Sequence, residues 1–269
     1  MINSTRTISI TSGKGGVGKT TLTANLALRL AATGSKVLIL DGDFGMANVD
    51  IFFGIKPQGY LLEVIKGEKE LAEIVTEVAP NVHLIPGGSG IVDYGHLNHF
   101  ERRYVLESVS RLPVTYDYLL VDTAPGLAEN VLFLNSAAQQ CLVVLTPDPS
   151  SFADAYALIK VLNQKRRVKN FSIVCNQVVS EIDGISLYNK FQDVVGRFLN
   201  VKLDFLGSIP VDSHLQKATH QQRLIMRQDP TAVSSMAISR ISNQIERARN
   251  SQRIYGGFEG FWEQVVGIA

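Results

Sequence analysis

Seven short apolar runs punctuate the chain, "RTISITS", "KVLILDGD", "NVHLIPGG", "YDYLLVDTA", "CLVVLTP", "FSIVCNQ" and "LDFLGSIP", and most are apolar on consecutive rather than alternate positions. A strand of that kind has no solvent face, so both sides of the sheet it joins must be covered. The covering material lies between the runs in longer stretches of helical period, such as "KTTLTANLALRLAATG" and "FERRYVLESVSRL". This alternation predicts an α/β fold: a doubly wound, mostly parallel sheet of seven to eight strands with helices on both faces. At 269 residues and 45% hydrophobic side chains, the chain can fill one large core. The reading is a single domain over residues 1–250 followed by an amphipathic tail over residues 251–269.

Directly after the first run stands "SGKGGVGKTT", in which Gly13, Gly18, Lys19 and Thr20 satisfy the pattern G-x-x-x-x-G-K-[ST] between a strand and a helix. Glycines let the backbone turn its N–H groups toward an anion at the positive end of the helix, with no side chain in the way. The loop Gly13, Gly15, Gly16, Val17, Gly18, Lys19, Thr20 and Thr21 is therefore the candidate phosphate cradle. Lys19 is expected to pair with the β and γ phosphates, and the Thr20 hydroxyl to ligate magnesium. The second run ends in Asp41 and Asp43, at the edge where open parallel sheets bind ligands. One of these carboxylates can serve the water shell of the metal and the other can orient an attacking water. The fourth run ends in Asp122, a further candidate to hold magnesium. Taken singly, strand-ending aspartates commonly cap turns; three in this order behind a phosphate loop carry more weight.

Lys14 is surplus to an ordinary phosphate loop, since inside the cradle it would be repelled by Lys19. The stretch K-G-G-V-G-K-T resembles the deviant loop of the MinD/ParA ATPases. That resemblance implies that Lys14 reaches across a nucleotide-sandwich homodimer to the partner's phosphates, so that ATP is both substrate and dimer glue, with slow turnover. It also implies that Asp43 positions the water, that Asp41 lies beside the magnesium site, that Asp122 is the Walker B carboxylate, and that Asn176, Pro210 and Asp212 form the adenine pocket. As plain residues, those last three read equally as a turn asparagine and a turn Pro-x-Asp.

Within the family, "DGDFGMANVD" and "SFADAYALIKVLNQ" resemble the FlhG/FleN branch, which sets the number and placement of bacterial flagella. The implied partner is a flagellar transcription activator or an FlhF-type GTPase. The few residues ahead of the first run hold no glutamine-containing extension of the kind that activates FlhF in many members, so that route is not expected. A ParA-like DNA-partitioning ATPase, a MinD-like division-site ATPase and a nearly non-catalytic adaptor stand as alternatives. As plain physics, "SFADAYALIKVLNQ" is a helix capped by Ser151 and Asp154, with Ala155, Leu158, Ile159 and Leu162 on its core face.

A formal charge of +1 gives no general attraction to nucleic acid or lipid. The basic residues of "QKRRVK", and Arg240, Arg247, Arg249 and Arg253, fit solvated helix faces, so DNA binding is not expected. Cys141 and Cys175 stand alone without CxxC spacing, which argues against an iron–sulfur carrier and for reduced thiols in a cytoplasmic protein. No run approaches the roughly 18 apolar residues of a membrane span. In the tail, after Gly256 and Gly257, the side chains of Phe258, Phe261, Trp262, Val265 and Val266 recur at helical spacing, with Glu259 and Glu263 opposite. Such a stripe either docks on the protein's own core or, as the family resemblance implies, touches the membrane peripherally. Membrane contact is the expectation carried forward. Burying the stripe yields on the order of 8 to 15 kcal/mol at most. Ordering the segment offsets a comparable amount, so one tail binds marginally and two on a dimer bind better.

Overall fold

The computed structural model describes residues 5–45, 47–88, 98–251 and 257–266. Most of the Gly87–Phe100 connection, together with Arg253 and Gly256, lies outside the described residues, as does the side chain of Arg249. The described residues form eight strands: β1 (Arg6–Thr11), β2 (Val37–Gly42), β3 (Thr76–Ala79), β4 (Val82–Ile85), β5 (Tyr118–Thr123), β6 (Gln140–Leu145), β7 (Asn170–Val178) and β8 (Lys202–Pro210). The helices of the first half are α1 (Lys19–Ala32), α2 (Val49–Phe53), α3 (Leu61–Ile65), α4 (Leu71–Ile74), α5 (His99–Ser110) and α6 (Glu129–Ala137). Those of the second half are α7 (Pro149–Arg166), α8 (Glu181–Phe198), α9 (Ser213–His220), α10 (Ile225–Gln228), α11 (Val233–Ser251) and α12 (Gly257–Val265).

The strands form one sheet in the order β3-β4-β2-β5-β1-β6-β7-β8, parallel except for the β3–β4 pair. β1 lies between β5 and β6, so the chain leaves it toward one side of the sheet through β2 and fills the other side from β6 onward. The crevice at the carboxyl end of β1 is the topological switch point where such sheets bind ligands. The continuous apolar runs are explained by burial on two sides. Val37 and Ile39 of β2 join the core under α1 and α11, while Leu38 and Leu40 join the core under α5, α6 and α12. A third cluster, between β6, β7, α7 and α8, holds Ala155, Leu158, Ile159 and Leu162, the face expected of that helix.

β3 was not among the seven runs. Its four residues, Thr-Glu-Val-Ala, turn back on β4 as an antiparallel edge hairpin, with Asn81 at φ 62° in the turn, and only half of the strand is buried. An edge strand with one wet face carries too few apolar residues to register as a run.

In the single copy the tail stripe docks on the protein's own core, one of the two settings its periodicity allows. Phe261, Trp262 and Val266 are each 1% exposed and Val265 0%, packed with Val105 and Val109 of α5 and with Leu134 and Ala137 of α6. Phe258 is half-buried, tilted against Tyr116 and edge-to-face with Trp262. The opposite face, with Glu259, Glu263 and Gln264, meets water. The physical reason is that α5 and α6 leave an apolar groove on one face of the sheet, and α12 fills it. The fit is incomplete in one respect, since the indole Nε1 of Trp262 is buried without a hydrogen-bond partner. Among the described residues no helix is long and apolar enough to cross a membrane.

Candidate active site

The loop between β1 and α1 owes its shape to two close approaches and two left-handed turns. A Cβ at Gly13 would lie 2.2 Å from the Asp154 backbone, and one at Gly18 would lie 2.5 Å from Asn176 Nδ2. Gly16 and Gly18 have φ of 77° and 95°, conformations that disfavour a side chain. Asn176 Nδ2 donates to the Val17 carbonyl at 2.7 Å, and Gly126 N donates to the Ser12 carbonyl at 3.0 Å, so β7 and the loop after β5 brace the turn from two sides. Lys19, at the start of α1, is 7% exposed and donates to Ser12 Oγ at 3.1 Å. Burial pulls its ammonium pKa down, and the charges of Asp122 and Asp43 oppose that. A buried cation at the positive end of a helix is a setting that favours an anion.

Thr20 Oγ1 donates to Asp122 Oδ2 at 2.6 Å, and Thr23 Oγ1 to Oδ1 at 3.3 Å. Asp122 is 1% exposed; burial raises its carboxyl to about 6 against the pull of Thr20 and Lys19. Asp41 stands in register with Asp122 on the neighbouring strand and is raised to about 7, first by burial and then by the Asp122 charge. Its oxygens accept backbone N–H groups from Asp43 at 3.2 Å, Asn48 at 3.0 Å and Val49 at 3.1 Å. Asp43 is half-buried, and its Oδ1 accepts from Gly45 N at 3.3 Å. The hydroxyl of Thr20 against a buried carboxylate fits magnesium, a hard ion held by one or two protein oxygens beside phosphates and water. Among the described residues no group of three or more His, Cys, Asp or Glu converges, and a site of that kind requires none.

Lys14 is turned to the start of α7. Its Nζ donates to the Asp148 carboxylate and, at 2.6 Å, to Ser150 Oγ. The Lys14 hydrogen bond holds the Asp148 carboxyl below the usual range. Asp148 also caps the helix by accepting from Ser150 N at 3.0 Å, with Pro149 in the first turn. This corrects the cap expected from Ser151 and Asp154: Ser151 Oγ instead accepts from Thr146 N at 3.1 Å. The dipeptide Asp-Pro was the signal for the true start, because proline is well placed at a first helical position.

Beyond the loop, a cavity of about 290 Å³ is walled by Gly18, Thr21, Asn176, Pro210, Asp212 and Leu215. The three residues expected in a base pocket are thus brought to the phosphate cradle. The Asp212 carboxylate does structural duty there, accepting from His214 N at 2.8 Å, Ser234 N at 3.0 Å and Ser234 Oγ at 2.7 Å, and so tying α9 to α11. Gln177, Leu215, Thr219 and His220 also line the cavity and were not anticipated; α9 announces itself in sequence only as a short amphipathic helix. Away from the site, Arg166 pairs with Glu129 at 2.5 Å and Arg240 lies 3.8 Å from Glu181, so part of the basic complement is engaged locally.

The sequence profile of the ParA family, described as NUBPL iron-transfer P-loop NTPase, matches residues 3–246. The antiactivator FleN of Pseudomonas aeruginosa is 36% identical over 259 residues, spanning 96% of this chain and 92% of that protein. The flagellum site-determining protein YlxH of Helicobacter pylori is 36% identical over 241 residues, spanning 88% and 81%. Among solved structures, the septum site-determining protein MinD complexed with Mg-ADP from Pyrococcus horikoshii superposes with a TM-score of 0.72 at 28% identity, covering 93% of this chain and all of that one.

Proposed function

The chain belongs to the ParA family of P-loop NTPases, and we propose that it is a magnesium-dependent ATP hydrolase whose ATP-bound homodimer is a switch over flagellar number or placement. The nucleotide half rests on one arrangement, Lys19, Thr20 and Asp122 gathered behind a loop whose backbone N–H groups are left bare by glycine. The flagellar half rests on FleN and YlxH, each 36% identical over most of the chain. The partner this implies is a flagellar transcription activator or an FlhF-type GTPase. Iron transfer finds no support in the cysteines of this chain. Cys141 and Cys175 are buried, and burial pushes both thiols up to about 12, far from metal-binding thiolates.

In this reading the loop N–H groups and Lys19 bind the triphosphate, and Asn176, Pro210 and Asp212 wall the base. Thr20 and Asp122 would hold magnesium, with Asp41 beside them; the ion would supply neutralising charge between the phosphates. Asp43 orients the attacking water. Lys14 of one copy exchanges Asp148 for the triphosphate on the other, adding positive charge where it develops in the transition state. Turnover is slow because Lys14 reaches the reacting phosphates only on assembly. The protein is cytoplasmic, and peripheral membrane contact through α12 requires that helix to leave its groove, with both copies engaging at once.

Light scattering tests the switch. A nonhydrolysable ATP analogue with magnesium should double the particle mass of the wild type and leave Lys14→Ala unchanged, while Asp43→Ala should stay dimeric in ATP itself. An unchanged wild-type mass with the analogue would end the reading. Deleting the gene should alter flagellar number or position, and unaltered flagellation would remove the flagellar half alone.

A further inference from the structure

Asp41 is the next-to-last residue of β2 and 2% exposed. Its backbone is held by pairing with β5 and by the exit of β4, where a Cβ on Gly87 would lie 2.2 Å from the Asp41 carbonyl oxygen. Its side chain reaches the segment that follows it. Oδ1 accepts from Asp43 N at 3.2 Å, and Oδ2 from Asn48 N at 3.0 Å and Val49 N at 3.1 Å. Asn48 is the N-cap residue of α2, yet its own side chain makes no capping bond. Asp41 instead accepts the N–H groups of the N-cap residue and of the first helical residue, and with Asp43 N it holds both ends of the segment.

A carboxylate offers about four acceptor positions, and three of these are occupied by the loop. The contrast with Asp122 is informative. Asp122 accepts from the hydroxyls of Thr20 and Thr23, which rotate freely toward a new partner. The partners of Asp41 are backbone N–H groups, which turn away only if the loop itself moves.

Resting on the ATP-hydrolysis reading above, we propose that Asp41 is a positioning residue: its carboxylate staples Asp43, Asn48 and Val49 to the end of β2, fixing Asp43 for water activation, and does not share in holding the metal. Asp43 is the first residue beyond β2 and two beyond Asp41, so the staple fixes its backbone and, through it, the place of its carboxylate.

The experiment compares the full-length wild type with Asp41→Asn and Asp122→Asn. A fluorescent ATP analogue is titrated with magnesium and with EDTA, and steady-state hydrolysis gives KM and kcat. Asp41→Asn should keep the magnesium-dependent gain in affinity to within about threefold and lose at least about tenfold in kcat, the scale of a misplaced catalytic group. Asp122→Asn should lose the magnesium-dependent gain. An Asp41→Asn protein that loses that gain as Asp122→Asn does, or that hydrolyses at the wild-type rate, overturns the proposal. Hydrogen exchange on the metal-free wild type gives a reading that does not depend on any variant folding. The amides of Asp43, Asn48 and Val49 should be protected at least about tenfold over an open loop before magnesium is added; protection that appears only with the metal would overturn the staple. A wild type that binds no ATP would instead remove the hydrolysis reading itself.

Discussion

Lys14 gives its ammonium to Asp148, a residue 134 positions further along the chain, so in the single copy the surplus cation of the loop is held by the start of α7. The two side chains are 41% and 43% exposed, a setting in which an ion pair contributes little and is screened by salt. The pair is therefore strong enough to orient Lys14 and weak enough to yield to a triphosphate. Asp148→Asn keeps the helix cap, because asparagine caps as well as aspartate. We expect it to strengthen ATP-dependent dimerisation by about two- to fivefold, matching release of an exposed pair. In a Lys14→Ala background the same substitution should change nothing, as sedimentation velocity with a nonhydrolysable analogue would report.

The raised carboxyls of Asp41 and Asp122 set a pH dependence for the ligand-free protein. Each has a folded pKa, about 7 and about 6, above the unfolded value of 3.8, so the folded state binds more protons between those limits. Stability contributed by these groups is full at low pH and falls as pH rises from about 4 to about 7. Charges facing the pair are Lys19 and Asp43. Asp122→Asn removes the buried charge while keeping an acceptor for Thr20. It should raise the ligand-free Tm at pH 7.5 by about 2 to 8 °C and flatten its slope with pH. A variant less stable than wild type at pH 7.5 would contradict this.

Some of this was legible along the chain and some was not. The runs around Leu38, Leu119 and Val143 betrayed their strands because a two-sided core demands apolar residues on both faces. β3 did not, being a four-residue edge hairpin. The phosphate loop was legible because its glycines and Lys19 serve a local geometry. Asp148 and Ser150 were not, since their partnership with Lys14 exists only once β6 lies beside β1. Spacing revealed Asp41 and Asp43 as carboxylates at a strand end, but not that the first accepts the N–H group of the second. The stripe from Phe258 to Val266 reads as a helix in any setting; lipid and a groove between α5 and α6 ask for the same periodicity.

Because α12 fills that groove, its apolar side chains should count in stability. Trp262→Ala should cost about 3 to 5 kcal/mol, the range for emptying a large buried aromatic site, read from urea unfolding. Glu259→Gln and Glu263→Gln, on the exposed face, should stay within about 0.5 kcal/mol of wild type. Vesicle sedimentation of the nucleotide-free protein should show no pelleting above that of a protein truncated before Gly257. An alanine at 262 without effect on unfolding would place the stripe outside the core.

Two glycines of near-identical φ separate strain from contact. Gly18 has φ 95° and would put a Cβ 2.5 Å from Asn176 Nδ2, whereas Gly34 has φ 92° and open space around it. Gly34→Ala therefore meets the left-handed penalty alone, about 1 kcal/mol. Gly18→Ala meets the same penalty and also drives Asn176 off the Val17 carbonyl, a further loss of about 1 to 3 kcal/mol if the buried amide goes unpaired. The displaced brace lies between the phosphate cradle and the base cavity, so the second substitution should also weaken ATP-analogue binding by at least about tenfold, as expected for a misaligned anion site. Gly34→Ala should bind the analogue as the wild type does. Thermal unfolding and a fluorescence titration of both proteins check the pair together, and equal losses of affinity in the two variants would show that backbone strain, not the approach of Asn176, governs the loop.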